Sequence, residues 1–453
     1  MKLHFIGVGG IGMSALAKIS LERGDLVSGS DLNPNNLTDR LAGNGAEIFK
    51  GHAKEHVADK VDLVIKSSCI RDNNPEIVRA KELGVEIVDR GHYLRAMMKE
   101  ARISVSVTGT HGKTTTSSLI SHILEYCGKS PTAIIGAEVQ ILGSNAKSGE
   151  SGVMVAEVDE SDGLFRDMCS TFGVITNIER EHMENFGTMD NLIDAYKGFL
   201  GGIDRDGIYF YNGDDALAVE ISSGFDMKKV TFGLKDENNV TAKNVYCGKS
   251  IKFDLSSGGN VLGLIESPLI GEHNVMNLLS ACAVCLELGL SADGISAAVP
   301  SFTGASRRFQ LVDRINDIEV IEDYAHHPTE LSAVIKAAKE YTDGRVISIF
   351  QPHRFSRTRD LLDDFVGCFY DSDVLILTDI YSAHEDEDEK AYIEHLVDRI
   401  DAKRFEEINF VSMADIPDCI ADKVKGKDTV LILGAGDINT IAGKVVERIK
   451  ATR

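Results

Sequence analysis

Residues 105–124 read VSVTGTHGKTTTSSLISHIL. An apolar run, a glycine turn, a Lys-Thr pair and a helix-like stretch follow one another. That order builds a phosphate loop, in which strand, turn and helix N-terminus aim backbone N–H groups at an anion. The spacing is short for one. The usual pattern is G-x-x-x-x-G-K-[ST], but Gly109 stands three residues before Gly112 and Val107 fills the first-glycine position. Gly109 and Gly112 still permit the turn, and the amides of Gly109, Thr110, His111 and Gly112 can form an anion nest. Lys113 is placed to bridge β- and γ-phosphates, and the Thr114 hydroxyl, followed by Thr115, to hold Mg²⁺.

A loop of that kind calls for carboxylates on a neighbouring strand. The stretch 153–162, VMVAEVDESD, reads as a buried strand ending in Glu157, Asp159, Glu160 and Asp162, at the carboxyl end where open α/β sheets bind ligands. Glu157 is the first choice as metal ligand. The next strand, within FGVITNIEREHMENFG, ends in Asn177, Glu179, Glu181 and His182, and His182 is a second candidate ligand.

A second glycine loop, GVGGIGMS, opens the chain. Gly7, Gly9 and Gly12, with Gly10 between them, match G-x-G-x-x-G after a strand and before a helix. Asp31 closes the next strand, 19 residues past Gly12. The pattern fits a diphosphate compound, and by itself does not separate NAD from any other. An NAD-dependent oxidoreductase and a non-catalytic nucleotide switch therefore stand beside an ATP-using enzyme; the oxidoreductase leaves Lys113, Thr114 and Glu157 without work.

The 453 residues suggest about three domains. Forty-eight Lys and Arg against 70 Asp and Glu give a net charge of −22, which argues against a nucleic-acid binder. The eight cysteines are scattered, and the one C-x-x-C, Cys282 and Cys285, lies in an apolar helical pattern that suits core packing. The N-terminus runs into a strand with no signal peptide, and no apolar run reaches the roughly 18 residues of a membrane span. A soluble protein of a reducing compartment is expected, with no membrane partner.

Strand-like and helix-like stretches alternate, which predicts an α/β fold in three parts. Residues 1–101 make a Rossmann-like parallel-sheet domain. Residues 102–306 make a P-loop-type domain, mostly parallel, with antiparallel hairpins inserted at LKDENNVTAKNVYCGKSIKFDLSSGGN as a small extra sheet. Residues 307–453 make a second Rossmann-like domain with strands at IEVIED, RVISIF, DVLILT, INFVS and TVLILG. The charge run AHEDEDEK, 383–390, reads as a solvated loop.

Taken together, GTHGKTTT, AEVDESDGLF, NIEREHMENFG, GEHNVMNLLSA, SRRFQ, DYAHHPTE, FQPHRFSRTRDLLDDF and LGAGDI resemble the Mur ligase family, in family order and over the whole chain. Members are ATP-dependent amide-forming enzymes of peptidoglycan precursor synthesis, and their phosphate loop is shortened in this way. GVGGIGMSALA, FQPHRFSRTRD and LGAGDI are most similar to the members that join L-alanine to UDP-N-acetylmuramate (UDP-MurNAc); the members that attach a preformed tripeptide are the second reading. The resemblance implies ATP and two Mg²⁺ ions, replaceable by Mn²⁺, in a cytoplasmic monomer or homodimer.

It also implies roles. Lys113, Thr114, Glu157 and His182 bind phosphates and metal, and Asn274 and Asn277 contact the adenine. Arg308 and Asp323 reach the ATP, while His326, Arg354 and Arg357 serve the amino acid, with His327 beside them. The UDP handle falls to Gly7, Gly9, Gly10, Gly12 and Asp31, with Ser67, Ser68 and His92 as further contacts. Two departures stand out. Glu181 replaces the Asp that often precedes the metal histidine. Lys197 sits at the spacing of the carbamylated lysine of some members and is read here as a helix-surface residue. The three domains are expected to close around substrate.

Overall fold

The computed structural model describes residues 1–161, 163–383, 385 and 392–453. Asp162 and most of the 383–390 charge run, both named above, lie outside the described residues. The chain packs as two compact units. One comprises residues 1–243, 255–263 and 276–302, the other 244–254, 264–275 and 303–453. The described residues form three sheets.

The first sheet takes β1 (Lys2–Ile6), β2 (Leu26–Asp31), β3 (Glu47–Lys50), β4 (Leu63–Lys66) and β5 (Glu86–Asp89) in the order β3-β2-β1-β4-β5, all parallel. Helices α1 (Ile11–Glu22), α2 (Asn36–Gly43), α3 (Pro75–Leu83) and α4 (Arg90–Glu100) connect or follow the strands. The order reverses between β1 and β4, so the first glycine loop emerges at the switch point where such sheets bind ligands.

The second sheet is built from β6 (Ile103–Thr108), β7 (Thr132–Val139), β8 (Ser144–Lys147), β9 (Val153–Glu157), β10 (Ser170–Ile175), β11 (Ile203–Asn212), β12 (Lys228–Gly233), β13 (Val240–Cys247), β14 (Ile251–Ser257) and β15 (Asn260–Ser267). The order is β15-β14-β13-β12-β11-β10-β6-β9-β7-β8. Its helices are α5 (Lys113–Tyr126), α6 (Met183–Phe186), α7 (Met189–Gly201), α8 (Ala216–Ser222), α9 (Glu272–Glu287) and α10 (Ala292–Ala298). The polar stretch expected to supply inserted hairpins contributes β13, β14 and β15, which neighbour one another in chain order at one end of this sheet. The antiparallel hairpin β7–β8 was not anticipated. Its glycines, Gly136 and Gly143, punctuate the run as a loop would.

Helix α5 is buried from Thr114 to Leu124 although Ser and Thr dominate its first two turns. Two of the hydroxyls are satisfied within the helix: Ser117 Oγ donates to the Lys113 carbonyl (2.9 Å) and Ser121 Oγ to that of Ser117 (2.8 Å). Small side chains thus let the helix lie close against the sheet, at the cost of one buried hydroxyl, Ser118 Oγ, that finds no partner.

The third sheet takes β16 (Gln310–Ile315), β17 (Ile318–Asp323), β18 (Val346–Phe350), β19 (Val374–Leu377), β20 (Glu407–Phe410) and β21 (Thr429–Leu433) in the order β16-β17-β21-β18-β19-β20. Only β16, antiparallel to β17, breaks its parallel run. Helices α11 (Pro328–Tyr341), α12 (Phe355–Asp360), α13 (Leu362–Gly367), α14 (Tyr392–Arg399), α15 (Ile416–Ala421) and α16 (Ala442–Ala451) complete it. One apolar cluster carries Leu331, Ile335, Phe365 and Leu396, and another carries Ile416, Ile420, Val445 and Ile449.

Candidate active site

The short loop folds as a phosphate loop. Gly109 has φ +128° and Gly112 φ +79°. A Cβ on Gly109 would stand 2.1 Å from Thr176 Oγ1, and one on Gly112 would stand 2.2 Å from Asn277 Oδ1. Neighbouring strand ends hold the turn from outside. Thr110 N donates to the Asn177 carbonyl (3.0 Å), His111 N to Asn177 Oδ1 (2.8 Å), and Thr176 Oγ1 to the His111 carbonyl (2.6 Å). Asn277 touches the far side, where Thr116 Oγ1 donates to its Oδ1 (3.4 Å). Thr115 is buried in the first turn of α5.

Lys113 folds back over the loop. Its Nζ donates to the carbonyls of Gly109 (2.7 Å) and Thr110 (3.0 Å) and pairs with Glu160 at 2.8 Å. Burial works against the ammonium, but the carboxylates of Glu160, Asp159 and Glu157 outweigh it and hold the pKa above the usual lysine range. Glu160 is 1% exposed, and desolvation drives its pKa up against the pull of Lys113. Burial also raises Asp159, but Lys113, Arg90 and His182 bring it below the usual carboxylate range.

The metal question turns on the donor set. Thr114 Oγ1 donates to Glu157 Oε1 (3.0 Å), while Glu157 Oε2 accepts the Gly136 N–H of β7 (2.7 Å). Asp159, Glu160 and His182 present ligand atoms within 4.8 Å of one another. His182 has φ +56° and caps α6, with Nε2 3.6 Å from Glu160 and Nδ1 3.5 Å from Glu184. Burial lowers its pKa, but Glu184, Glu160, Glu181 and Asp159 raise it overall. Hard oxygen donors beside one imidazole, next to a phosphate nest, fit Mg²⁺. Glu181 is 6% exposed, and its Oε1 accepts the His182 N–H (3.3 Å). Lys197 is half exposed and pairs with Asp194 (3.1 Å), as a helix-surface residue does. Cys282 and Cys285 are fully buried in α9, and burial pushes the Cys282 thiol up to about 12, as suits side chains packed in a core.

The first loop is tied to the end of β2. Gly7 N and Val8 N both donate to the Ser30 carbonyl (2.8 and 3.0 Å) and Gly9 N to Asp31 Oδ2 (2.8 Å). Asp31 therefore acts first as an acceptor for the loop's own backbone. Gly10 caps α1, and Gly12 lies in its first turn. Ser67 comes up beneath Gly7, Ser68 is exposed, and His92 is exposed with Nδ1 3.8 Å from Asp89.

The other unit holds a separate constellation. Asp323, at the end of β17, accepts the N–H groups of Phe309 and Ala325 (2.7 Å each). Burial raises it to about 6 against the pull of Arg308 and these donors. Arg307 and Arg308 lie over the Tyr324 ring at 4.9 and 5.2 Å. His326 Nδ1 is 3.0 Å from the Tyr324 carbonyl, and His327 caps α11 by accepting the Thr329 N–H (3.3 Å). Arg354 caps α12 at φ +70°. Arg357 is 7% exposed and its Nη1 lies 3.0 Å from His353 Nδ1. His353 also stacks on Tyr381 (5.5 Å) and meets His326 edge-on (6.0 Å). Asn274 Nδ2 donates to the Ile270 carbonyl (2.8 Å). The sequence reading omitted His353, although the quoted FQPHRFSRTRD contains it, and gave Glu160 no partner.

Comparison with known families fits this architecture in three blocks. Residues 2–102 match the Mur ligase family catalytic domain, 107–285 the Mur ligase middle domain, and 307–436 the Mur ligase glutamate ligase domain. The chain belongs to the Mur ligase family. Among this family's members, the UDP-N-acetylmuramate–L-alanine ligase of Geotalea uraniireducens (strain Rf4) is 39% identical over 451 residues, covering 99% of this chain and 98% of that one. The ligase of the same name from Desulforamulus reducens is 38% identical over 463 residues, with the same coverage. The crystal structure of UDP-N-acetylmuramate-alanine ligase MurC from Thermotoga maritima superposes with a TM-score of 0.84 at 30% identity, over 100% of both chains. The short loop at 109–114 lies within the stretch matched to the Mur ligase middle domain, and the three-domain α/β architecture is shared.

Proposed function

We propose that this chain joins L-alanine to the lactyl carboxylate of UDP-MurNAc at the expense of ATP, giving UDP-MurNAc-L-alanine, ADP and phosphate. The observation that carries the reading is the pairing of a phosphate nest with Lys113, Thr114 and Glu157, in a chain whose full-length relatives are ligases of this name. An oxidoreductase gives that nest no purpose, and the tripeptide-joining reading is not favoured by the relatives' names.

The chemistry divides in two. A carboxylate is a poor electrophile, so the γ-phosphoryl of ATP is transferred to it, forming an acyl phosphate and releasing ADP. The amine of alanine then attacks the acyl carbon, loses a proton, and phosphate leaves. Positioning and charge stabilisation supply most of the acceleration in such transfers. The backbone of 109–114 receives the β- and γ-phosphates. Lys113 exchanges its carbonyl and Glu160 contacts for phosphate oxygens and offsets their charge. Thr114 and Glu157 would hold one Mg²⁺, and His182 with Glu160 a second, and a metal bound there would neutralise phosphate charge. Asn274 and Asn277 serve the adenine, and Arg308 and Asp323 the nucleotide from the third domain.

Gly7, Gly9, Gly10, Gly12 and Asp31 form the UDP handle, aided by Ser67, Ser68 and His92. With its Nδ1 proton directed at the Tyr324 carbonyl, His326 keeps Nε2 as the basic nitrogen and accepts the ammonium proton of alanine. Arg354 binds the alanine carboxylate, and Arg357 orients His353 and that loop. We assign residues 1–101 to UDP-substrate binding, 102–306 to ATP binding and 307–453 to the amino acid, and place the reaction in the cytoplasm. Among the described residues no helix is long and apolar enough to cross a membrane.

The test is phosphate release with ATP and UDP-MurNAc against L-alanine, glycine, L-serine and the tripeptide. Release that requires UDP-MurNAc and is fastest with L-alanine is expected. Release with the tripeptide alone transfers the protein to the recycling class, and tight NADH binding without phosphate release overturns the ligase reading. Lys113→Ala should abolish release while leaving UDP-MurNAc binding intact.

A further inference from the structure

Behind the first glycine loop lies a charged cluster that the proposed reaction does not use. Glu76, in the first turn of α3, has no exposed surface. Its Oε2 accepts from Ser30 Oγ (2.6 Å), and its Oε1 faces His56 Nδ1 (2.7 Å) and the Ala53 N–H (3.3 Å). His4 Nε2 and His52 Nδ1 stand 3.5 Å from Oε2. His52 Nδ1 is also 3.0 Å from Ser30 Oγ. Desolvation pushes the carboxyl up, but His4, Ser30 and His56 bring it down to about 2. A buried ion assembly of this kind is costly next to an apolar plug of the same volume.

Ser30 connects the cluster to the substrate. Its carbonyl is the acceptor for both Gly7 N and Val8 N, and the next residue, Asp31, accepts Gly9 N. The loop after β3 holds the same corner, because Gly51 N donates to the Asp31 carbonyl (2.8 Å). Amides of three successive loop residues therefore hang on residues 30 and 31. The Ser30 side chain in turn is fixed by Glu76 and His52. A shift of the β2 end would carry all three amides with it.

We infer that Glu76 and Ser30 are positioning residues for UDP-MurNAc: through the Ser30 carbonyl they set the first glycine loop in the conformation that receives the diphosphate. This rests on the reading of that loop as the UDP site. The role acts on binding of one substrate and leaves the ATP loop alone.

The test compares wild type, Glu76→Gln and Ser30→Ala. Calorimetry gives UDP-MurNAc affinity without ATP, steady-state kinetics give kcat and each KM, and thermal unfolding reports the fold. Each variant should bind UDP-MurNAc roughly tenfold more weakly, as expected for one lost charge-assisted hydrogen bond, and raise its KM by a similar factor. The kcat and the KM for ATP should stay within about twofold. Variants that melt earlier but keep wild-type affinity and KM for UDP-MurNAc would make the cluster a purely structural anchor and overturn the inference alone. If Glu76→Gln does not fold, Ser30→Ala decides, since it removes one hydroxyl. Wild-type protein that fails to bind UDP-MurNAc overturns the UDP reading together with the inference.

Discussion

Lys113 is held in an arrangement that a phosphate must dismantle. Its Nζ is shared among two loop carbonyls and Glu160, and Glu160 is a buried carboxylate close to where γ-phosphate charge would arrive. Without a metal, ATP must separate the Lys113–Glu160 pair and then endure the remaining negative charge. Glu160→Gln removes that charge and loosens Lys113, so metal-free ATP binding should tighten by roughly tenfold, read by titration with a fluorescent ATP analogue in excess chelator. Weaker metal-free binding would show that Glu160 positions Lys113 rather than opposing the phosphate. Glu76 gives a pH prediction of known sign. Its carboxyl titrates at about 2 in the folded protein against an ordinary 4.5. A lowered folded pKa contributes stability above the unfolded value that is lost as pH falls from 4.5 towards 2, amounting to about 3 kcal/mol. The acid limb of the urea midpoint should therefore be shallower in Glu76→Gln than in wild type over that window. Parallel limbs would mean that Glu76 is not held ionised.

At the scale of elements, the unit that matters is β6, the loop 109–112 and α5. The strand is fixed by parallel pairing to β10 and β9 on its two sides, and the turn by positive-φ glycines pressed on Thr176 and Asn277. Gly109→Ala puts a methyl on a backbone that L-residues rarely adopt and against a hydroxyl 2.1 Å away. Loss of ATP binding and a cost of roughly 2 kcal/mol or more in stability are expected from calorimetry and chemical denaturation; near-normal ATP affinity would mean that the turn relaxes freely. This element was readable because each part had its own signal: β-branched alternation, glycines, Lys-Thr, then helical spacing. The acids after β9 were readable only as a group. The strand ends at Glu157, so alternation no longer says whether Asp159 or Glu160 turns toward Lys113, and only the folded loop answers Glu160. His353 was passed over because Arg354 and Arg357, which follow it, drew the amino-acid reading, whereas its meaning comes from Tyr381, 28 residues on. Hairpin β7–β8 was missed for its glycines, yet Gly136 is the donor that fixes Glu157. Sequence patterns mark what an element is and which end carries chemistry. Pairing between elements is a tertiary fact.

Across the whole molecule, the boundaries suggested by sheets and those suggested by packing differ in a way that can be measured. The first two sheets are separate in hydrogen bonding, but a single apolar cluster runs from Leu3, Leu16 and Met98 through Ile134, Met154 and Phe199 to Ile221. Polar ties reinforce it: Lys18 Nζ donates to the Ala146 carbonyl (2.6 Å) and Asn145 Nδ2 to that of Ile11 (2.7 Å), joining α1 to β8. The third sheet has apolar clusters of its own. Residues sharing one core open together, so the UDP and ATP regions should unfold as one cooperative unit although their motifs are separate. A ligand of the first glycine loop should then stabilise the ATP loop as well. At a free concentration about one hundred times Kd, UDP-MurNAc should add about 2.7 kcal/mol to the opening of the whole unit. Hydrogen exchange followed by mass spectrometry reads this directly. In the slowest-exchanging amides, peptides from β6 and β9 should gain as much protection as those from β1, while those from β18 and β19 should gain little. Protection confined to residues 2–101 would mean that the first sheet opens alone and that the shared cluster does not couple the two.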